Sequence, residues 1–360
     1  MSLQTYSIFT GTGSYIPTRC IKNQDFLNHT FYEKNGEPIR KSNQEIIEKF
    51  EEITTIKERR YVTDDLNTSD IAYLSAEKAI KSANISKESL DYIIVAHNFG
   101  DTTPSNKQVD LMPSLASRVK YKLKIKNPNT VAYDLPFGCP GWVQAIIQAD
   151  YYIKSGDAKK ILVIGSDVLS RVTDPHDRDS MIYADGAGAV ILEAKESTTP
   201  VGILGHKTRS DTYFHSQLLV MGDSYKKDDL TENELYLKMN GRRLYQYALE
   251  TVPQSVKECL DKIGINPKDI KKLLIHQANG KMDDAILQRL FDLYGEKNIP
   301  KDIMPMTIST LGNSSVATIP TLLDLILKGE LPKHSINKSD LIIFASVGAG
   351  MNISTFIYKS

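Results

Sequence analysis

One stretch of this chain occurs twice. Lys78-Ala79-Ile80-Lys81-Ser82-Ala83-Asn84-Ile85-Ser86-Lys87-Glu88-Ser89-Leu90, followed by the apolar residues from Tyr92 to Val95, aligns without a gap with Glu258-Cys259-Leu260-Asp261-Lys262-Ile263-Gly264-Ile265-Asn266-Pro267-Lys268-Asp269-Ile270, followed by Leu273 to Ile275. The separation is 180 residues, half of a 360-residue chain. Each copy reads as an amphipathic helix ending at Asn84 or Gly264, then a capped turn, then a short apolar strand with a polar tip. A looser echo pairs Gly186-Ala187-Gly188-Ala189-Val190-Ile191-Leu192 with Gly348-Ala349-Gly350-Met351-Asn352-Ile353. Helix–turn–strand units are common, and chance can make one such pair. Duplication accounts for both echoes and predicts two similar α/β halves that share a layer of helices between their sheets.

Strand-like runs from Ile93 to Ala96, Ile161 to Ile164, Ala189 to Leu192, Leu273 to Ile275 and Leu341 to Ala345 alternate with helical stretches. Short apolar strands separated by helices predict largely parallel sheets covered on both faces. Residues 196–233 are polar and rich in Gly, Asp and Ser, which places a junction there between halves spanning 1–195 and 234–360, with loops that face a substrate.

The charges balance, 44 Lys and Arg against 44 Asp and Glu, so no global field recruits nucleic acid or an anionic membrane. Cys20, Cys139 and Cys259 are too few and too far apart for a disulfide framework or a zinc cage, and no metal is expected. The N-terminus lacks a basic stretch followed by an apolar one, and no run of 18 apolar residues occurs, so the expectation is a soluble cytoplasmic protein.

Three short segments carry chemistry. In Gly138-Cys139-Pro140-Gly141 the cysteine lies between the strand-like Val131-Ala132-Tyr133-Asp134-Leu135 and a helical run from Trp142 to Ile153. Pro140 suits a first helical position, and the partial positive charge of a helix N-terminus favours a thiolate that attacks acyl thioesters. A buried structural cysteine is the ordinary alternative, and it is the reading given to Cys20 and Cys259. His276-Gln277-Ala278-Asn279 ends an apolar strand, and Gly312-Asn313-Ser314-Ser315 opens a helix. Taken singly, His276 reads equally well as a core histidine and Asn313 as a helix cap. As a set the three residues meet one need. Decarboxylation of a malonyl-type thioester makes an enolate, and a neutral imidazole N–H with an amide N–H can hold its oxygen while its carbon attacks the acyl-cysteine. Main-chain N–H groups at Cys139 and Ala349, among small residues, are candidates for a second oxyanion hole.

At these residues the chain resembles the thiolase-fold condensing enzymes, and within them the 3-oxoacyl-(acyl-carrier-protein) synthase III family. The likeness extends to Ile56-Lys57-Glu58-Arg59-Arg60, Leu162-Val163-Ile164-Gly165-Ser166-Asp167, Asp185-Gly186-Ala187-Gly188-Ala189 and Met239-Asn240-Gly241-Arg242-Arg243. The resemblance implies an α/β, duplicated five-layer α-β-α-β-α thiolase-like fold, a homodimer, and Cys139, His276 and Asn313 as catalytic residues. It further implies that Arg178 contacts the adenine end of coenzyme A, that Gly241 and Asn279 lie on a pantetheine channel, and that Lys281 docks an acidic carrier protein. Acyl-CoA and acyl carrier protein then enter as substrates and partners, with no cofactor.

Val347-Gly348-Ala349-Gly350-Met351 lacks the second cysteine of degradative thiolases. Relative to the housekeeping starter enzymes, Pro140 follows the nucleophile in place of a small residue, Ile53-Thr54-Thr55-Ile56 replaces Arg-Thr-Gly-Ile, no tryptophan stands near Phe50, and the stretch from Asn98 to Pro113 is longer. Phe137-Gly138-Cys139-Pro140-Gly141-Trp142 resembles the dialkylresorcinol-forming condensing enzymes. The leading expectation is an acyltransferase that condenses an acyl group held on Cys139 with a malonyl- or 3-oxoacyl-thioester. Acyl transfer to an oxygen or nitrogen acceptor, and a silent scaffold that binds acyl carrier protein, are the alternatives.

Overall fold

The computed structural model describes residues 3–227 and 234–360. Among the described residues, nine strands build two main sheets. The first holds β1 (Gln4–Tyr15), β2 (Tyr92–His97), β3 (Val131–Pro136), β4 (Lys160–Val168) and β5 (Asp185–Ser197), in the order β1-β5-β4-β2-β3. The second holds β6 (Gly202–Ser210), β7 (Ile270–Ile275), β8 (Leu341–Gly348) and β9 (Asn352–Lys359), in the order β6-β9-β8-β7. The principal helices are α1 (Asn43–Thr54), α2 (Thr68–Ala83), α3 (Leu115–Lys122), α4 (Gly141–Ser155), α5 (Gly241–Ile263), α6 (Gly280–Asp292) and α7 (Thr318–Leu327).

The repeated stretch folds alike in both places. Helix α2 ends at Asn84 and α5 at Gly264, both left-handed, with φ of 53° and 68°. Two residues on, Ser86 accepts a hydrogen bond from the Glu88 main-chain N–H and Asn266 one from that of Lys268, so the same capped turn feeds β2 and β7. The two strand orders match position for position, except that the second sheet has no full counterpart of β3. Its place is taken by one main-chain bond, from Leu273 N–H to the Ile303 carbonyl at 2.9 Å.

The sheets are mixed, and the expectation of largely parallel pairing is corrected on this point. β2 pairs with β3 and β4, and β7 with β8, in parallel, but β1–β5, β5–β4, β6–β9 and β9–β8 are antiparallel. The reason lies in the connections: β8 returns to β9 through the three residues Ala349–Met351, too short for the crossover a parallel strand needs. The predicted junction also contains structure. Gly202–Ser210 is β6, an edge strand that pairs, among the described residues, only with β9; its last three residues are exposed and so read as polar loop. The remainder of that junction includes Leu219–Gly222, paired with Tyr236–Met239; residues 228–233 lie outside the described residues.

Five layers result. Helices α2 and α3 cover the outer face of the first sheet, α5 and α6 the outer face of the second, and α4 and α7 lie between the sheets. The central layer is apolar on all sides: Trp142 and Ile146 of α4 and Ile319 and Leu322 of α7 pack with Val163 and Val190 below and Phe344 and Phe356 above. Each central helix also carries one buried aspartate bound to a lysine four residues on and to β1. Asp150 accepts from Ser7 Oγ at 2.7 Å and pairs with Lys154; Asp324 accepts from Thr12 and Ser14 at 2.7 and 2.6 Å and pairs with Lys328. Among the described residues no helix is long and apolar enough to cross a membrane.

Candidate active site

Cys139 sits in the turn between β3 and α4, with Pro140 as the N-cap and Gly141 as the first helical residue. Its Sγ accepts a hydrogen bond from Ser315 Oγ at 3.3 Å. Burial pushes the thiol up to about 11, against the Ser315 bond, which lowers it. The sequence-based expectation of a populated thiolate is thereby corrected: the helix terminus is present, but the enclosed site favours the neutral thiol.

Ser315 joins the three sequence-predicted residues. Its hydroxyl reaches Cys139, its main-chain N–H donates to Asn313 Oδ1 at 2.9 Å, and its main chain also meets the His276 ring. It adopts a left-handed φ of 54°, an uncommon conformation for a residue with a side chain and one associated with functional sites. With Oδ1 engaged, Asn313 offers its amide N–H groups on the other side, and it lines a cavity of 560 Å³. The Asn313 main chain is fixed by bonds to Ile182 and Ala184, so it is not a helix cap. Helix α7 starts later, at Thr318.

His276 follows β7 and is 4% exposed. Burial drives its imidazole down to about 4, so it is neutral at pH 7, and its Nδ1 has no hydrogen-bond partner among the described residues. The neighbouring Gln277 is wholly buried. Its Oε1 accepts from the main-chain N–H of Thr307 and Ile308, and its Nε2 donates to the Pro305 carbonyl. That clamp sets the histidine segment against the chain leading into Gly312-Asn313.

The two glycine turns meet at Cys139. A methyl group on Gly348 would lie 2.7 Å from the Cys139 main-chain nitrogen, and one on Gly138, whose φ is 68°, would lie 3.0 Å from that of Ala349. Only glycines let the two turns approach each other this closely.

Among the other candidates, Arg178, Gly241 and Asn279 line the 560 Å³ cavity along with Asn313, and the basic Lys41, Lys49 and Arg242 share that lining with the acidic Glu45 and Asp179. Asn279 doubles as the N-cap of α6, accepting from Met282 N–H. Lys281 stands apart from that lining, exposed and 3.8 Å from Glu52 of α1. A second, mostly apolar cavity of 350 Å³ borders the cysteine turn, lined by Phe99, Phe137, Gly138, Leu219, Met221 and Ala349 among others. The long stretch from Asn98 to Pro113 begins on that cavity and continues as the hairpin Asp101–Thr103/Asn106–Asp110.

Sequence reasoning missed Ser315 and, behind it, Asn98 and Asp167. The signal lay in the Gly-Asn-Ser-Ser segment and in an aspartate at the end of an apolar run. Their meeting depends on strands β2 and β4 lying side by side.

A layered α/β body with two matching sheets and a cysteine on the central helix defines a thiolase-like condensing enzyme. Comparison with known proteins narrows the class. The profile described as 3-Oxoacyl-[acyl-carrier-protein (ACP)] synthase III matches residues 133–212, and its C-terminal counterpart matches 260–360. The beta-ketoacyl-[acyl-carrier-protein] synthase III of Staphylococcus haemolyticus is 31% identical over 97% of each chain, and that of Clostridium perfringens 32% identical over 97% of this chain and 98% of its own. The crystal structure of the 3-oxoacyl-[acyl-carrier-protein] synthase III of Aquifex aeolicus superposes with a TM-score of 0.78 at 30% identity, covering 98% of this chain and 100% of that one. The chain belongs to the 3-oxoacyl-(acyl-carrier-protein) synthase III family and is an acyltransferase of the condensing type.

Proposed function

We propose that Cys139 is the acyl-carrying nucleophile of a two-step condensation, with His276 and Asn313 serving the carbon–carbon bond. The single observation that carries this reading is the convergence of Cys139, His276 and Asn313 on Ser315. In the first step the Cys139 sulfur forms a bond to the acyl carbon, the thioester C–S bond breaks, and the thiol proton passes to the departing thiolate. Because burial keeps the resting thiol protonated, that proton leaves as the new bond forms. The main-chain N–H groups of Cys139 and Ala349 hold the oxyanion. In the second step a malonyl thioester loses carbon dioxide. His276 and Asn313 N–H groups hold the enolate oxygen, and its carbon displaces the Cys139 sulfur from the acyl group.

The 560 Å³ cavity suits the phosphorylated handle of a coenzyme A or carrier-protein thioester, with Arg178 at its charged end and Gly241 and Asn279 along its length. Lys281 extends the positive surface toward an acidic carrier protein. The 350 Å³ apolar cavity suits the acyl chain. This reading calls for no cofactor and takes the reaction to be cytoplasmic. A homodimer is supported by the outer edge of β3, which has no strand partner among the described residues, and by the exposed Leu111 and Met112.

The test is intact-protein mass spectrometry after exposure to a series of acyl-CoA thioesters, followed by malonyl thioester. The wild-type protein gains one acyl group, releases carbon dioxide and yields a lengthened product. Cys139→Ala gains no acyl group. An adduct that persists in Cys139→Ala would overturn the assignment, and a lengthened product without carbon dioxide would replace malonyl with a 3-oxoacyl extender.

A further inference from the structure

Behind the cysteine lies a buried chain of polar groups that the condensation described above does not use. Asp167, on β4 and wholly buried, accepts from the Asn98 main-chain N–H at 2.8 Å and from Asn98 Nδ2 at 2.6 Å. The same Nδ2 donates to Ser315 Oγ at 2.7 Å, and Ser315 Oγ donates to Cys139 Sγ at 3.3 Å. The polarity follows from the donors available. An amide nitrogen can only give protons, so the Ser315 oxygen must accept from Asn98, and its single proton is left for another acceptor. Two acceptors compete for that proton, the sulfur and the Asp167 carboxylate, which also interacts with Ser315. Both Asp167 oxygens already accept from Asn98, and the hydrogen bond that the Ser315 hydroxyl makes is to the sulfur, at 3.3 Å.

We infer that Asn98, anchored by Asp167, is a positioning residue that directs the Ser315 hydroxyl proton onto the Cys139 sulfur and so favours formation of the thiolate. A hydrogen bond donated to a charged acceptor is stronger than one to a neutral acceptor, so the chain stabilises the thiolate more than the thiol. It opposes the burial that pushes the thiol up. Once Cys139 is acylated its sulfur carries no negative charge, and the chain acts again only as condensation expels that sulfur as a thiolate. Its influence therefore falls on the moments when the sulfur bears charge, as it attacks and as it leaves. Asp167 from β4, whose negative charge raises the thiol, and Tyr183 act on Cys139 electrostatically, while His276 meets the Ser315 main chain beside it. Behind Asp167 stands His97 of β2, whose Nε2 lies 3.2 Å from Asp134 of β3.

This inference rests on Cys139 as nucleophile, but its test reads the thiol directly and does not depend on acyl transfer. The rate of iodoacetamide alkylation at Cys139, followed by peptide mass spectrometry across pH, reports the thiol's titration in wild type, Ser315→Ala, Asn98→Leu and the double variant. The expected result is an upward shift of about one pH unit in each single variant, with no further shift in the double variant, because Asn98 acts through Ser315. Acylation by acyl-CoA should slow about tenfold at neutral pH in Asn98→Leu. A structural role alone does not move the titration of the thiol. An Asn98→Leu profile that superimposes on wild type overturns the inference, and so do additive shifts in the double variant. Should Asn98→Leu not fold, Asn98→Ala, which lacks the amide donor and adds no charge beside Asp167, takes its place with the same expected shift. An unchanged profile in Ser315→Ala overturns the inference whatever the Asn98 variants do.

Discussion

Replacing Gly348 with alanine should disable acyl loading while leaving a folded protein. Gly348 has φ −170°, an extended conformation that any residue adopts, so the backbone itself accepts a side chain. The obstacle is contact. The added methyl carbon would lie 2.7 Å from the Cys139 nitrogen, 2.7 Å from Pro140 Cδ and 2.8 Å from Cys139 Cβ. Each distance is roughly 0.7 Å short of an ordinary contact, so the two turns must separate by about that amount. Overpacking on this scale costs about 1–3 kcal/mol of stability. The larger consequence is catalytic, because the displaced atom carries one of the two oxyanion donors. Losing one such donor slows acyl transfer about 100- to 1,000-fold.

The assay is the time course of acyl-adduct formation by intact mass, with urea unfolding measured alongside. Gly156→Ala is the control. Gly156 has φ 85° and open space where a methyl would sit, so that variant loses about 1–2 kcal/mol from backbone strain alone, at the far end of α4. It should load at the wild-type rate. Equal loading rates for Gly348→Ala and wild type would refute the argument, as would an equal slowing in Gly156→Ala, which would trace the effect to stability.

Other outcomes follow from the same geometry. The His276 imidazole is held down at about 4 against an ordinary 6.5, so between those values the unfolded chain binds the extra proton. Its contribution to stability is complete above pH 6.5 and is lost as pH falls toward 4. His276→Asn should therefore flatten the acid limb of unfolding free energy by up to about 3 kcal/mol, measured by urea titration at each pH. Asp167 and Asp185, both pushed up to about 6 by burial, act in the opposite direction but are common to both proteins. Asp324→Ala strands the Thr12 and Ser14 hydroxyls and removes the partner of Lys328, and should cost about 3–5 kcal/mol in the same unfolding assay. Arg178→Ala, in the lining of the 560 Å³ cavity, should raise KM for acyl-CoA about tenfold with kcat nearly unchanged, as the proposed contact with the handle and not the reacting carbon requires.

Local signals were enough for much of this protein. The duplicated helix–turn–strand is written in residue types, because an αL cap at Asn84 or Gly264 and an Asx or Ser turn two residues on are decisions taken within a few residues. The same holds for the cysteine between strand and helix and for the glycines around it. Strand direction was not legible, since an apolar run reads the same whichever way its neighbour runs; the length of the connection decides that. β6 was hidden because the exposed C-terminal end of this edge strand has the composition of a loop.

The protonation state of Cys139 and the chain through Asp167, Asn98 and Ser315 belong to the tertiary structure alone. Residues 98, 139, 167 and 315 share no local pattern, and they meet only because β2, β4, the start of α4 and the approach to α7 end at one place. A thiol's charge depends on how much water surrounds it and which donors face it, and both are properties of the packed molecule. Sequence names the reactive groups; packing sets their dielectric surroundings and the direction of their protons.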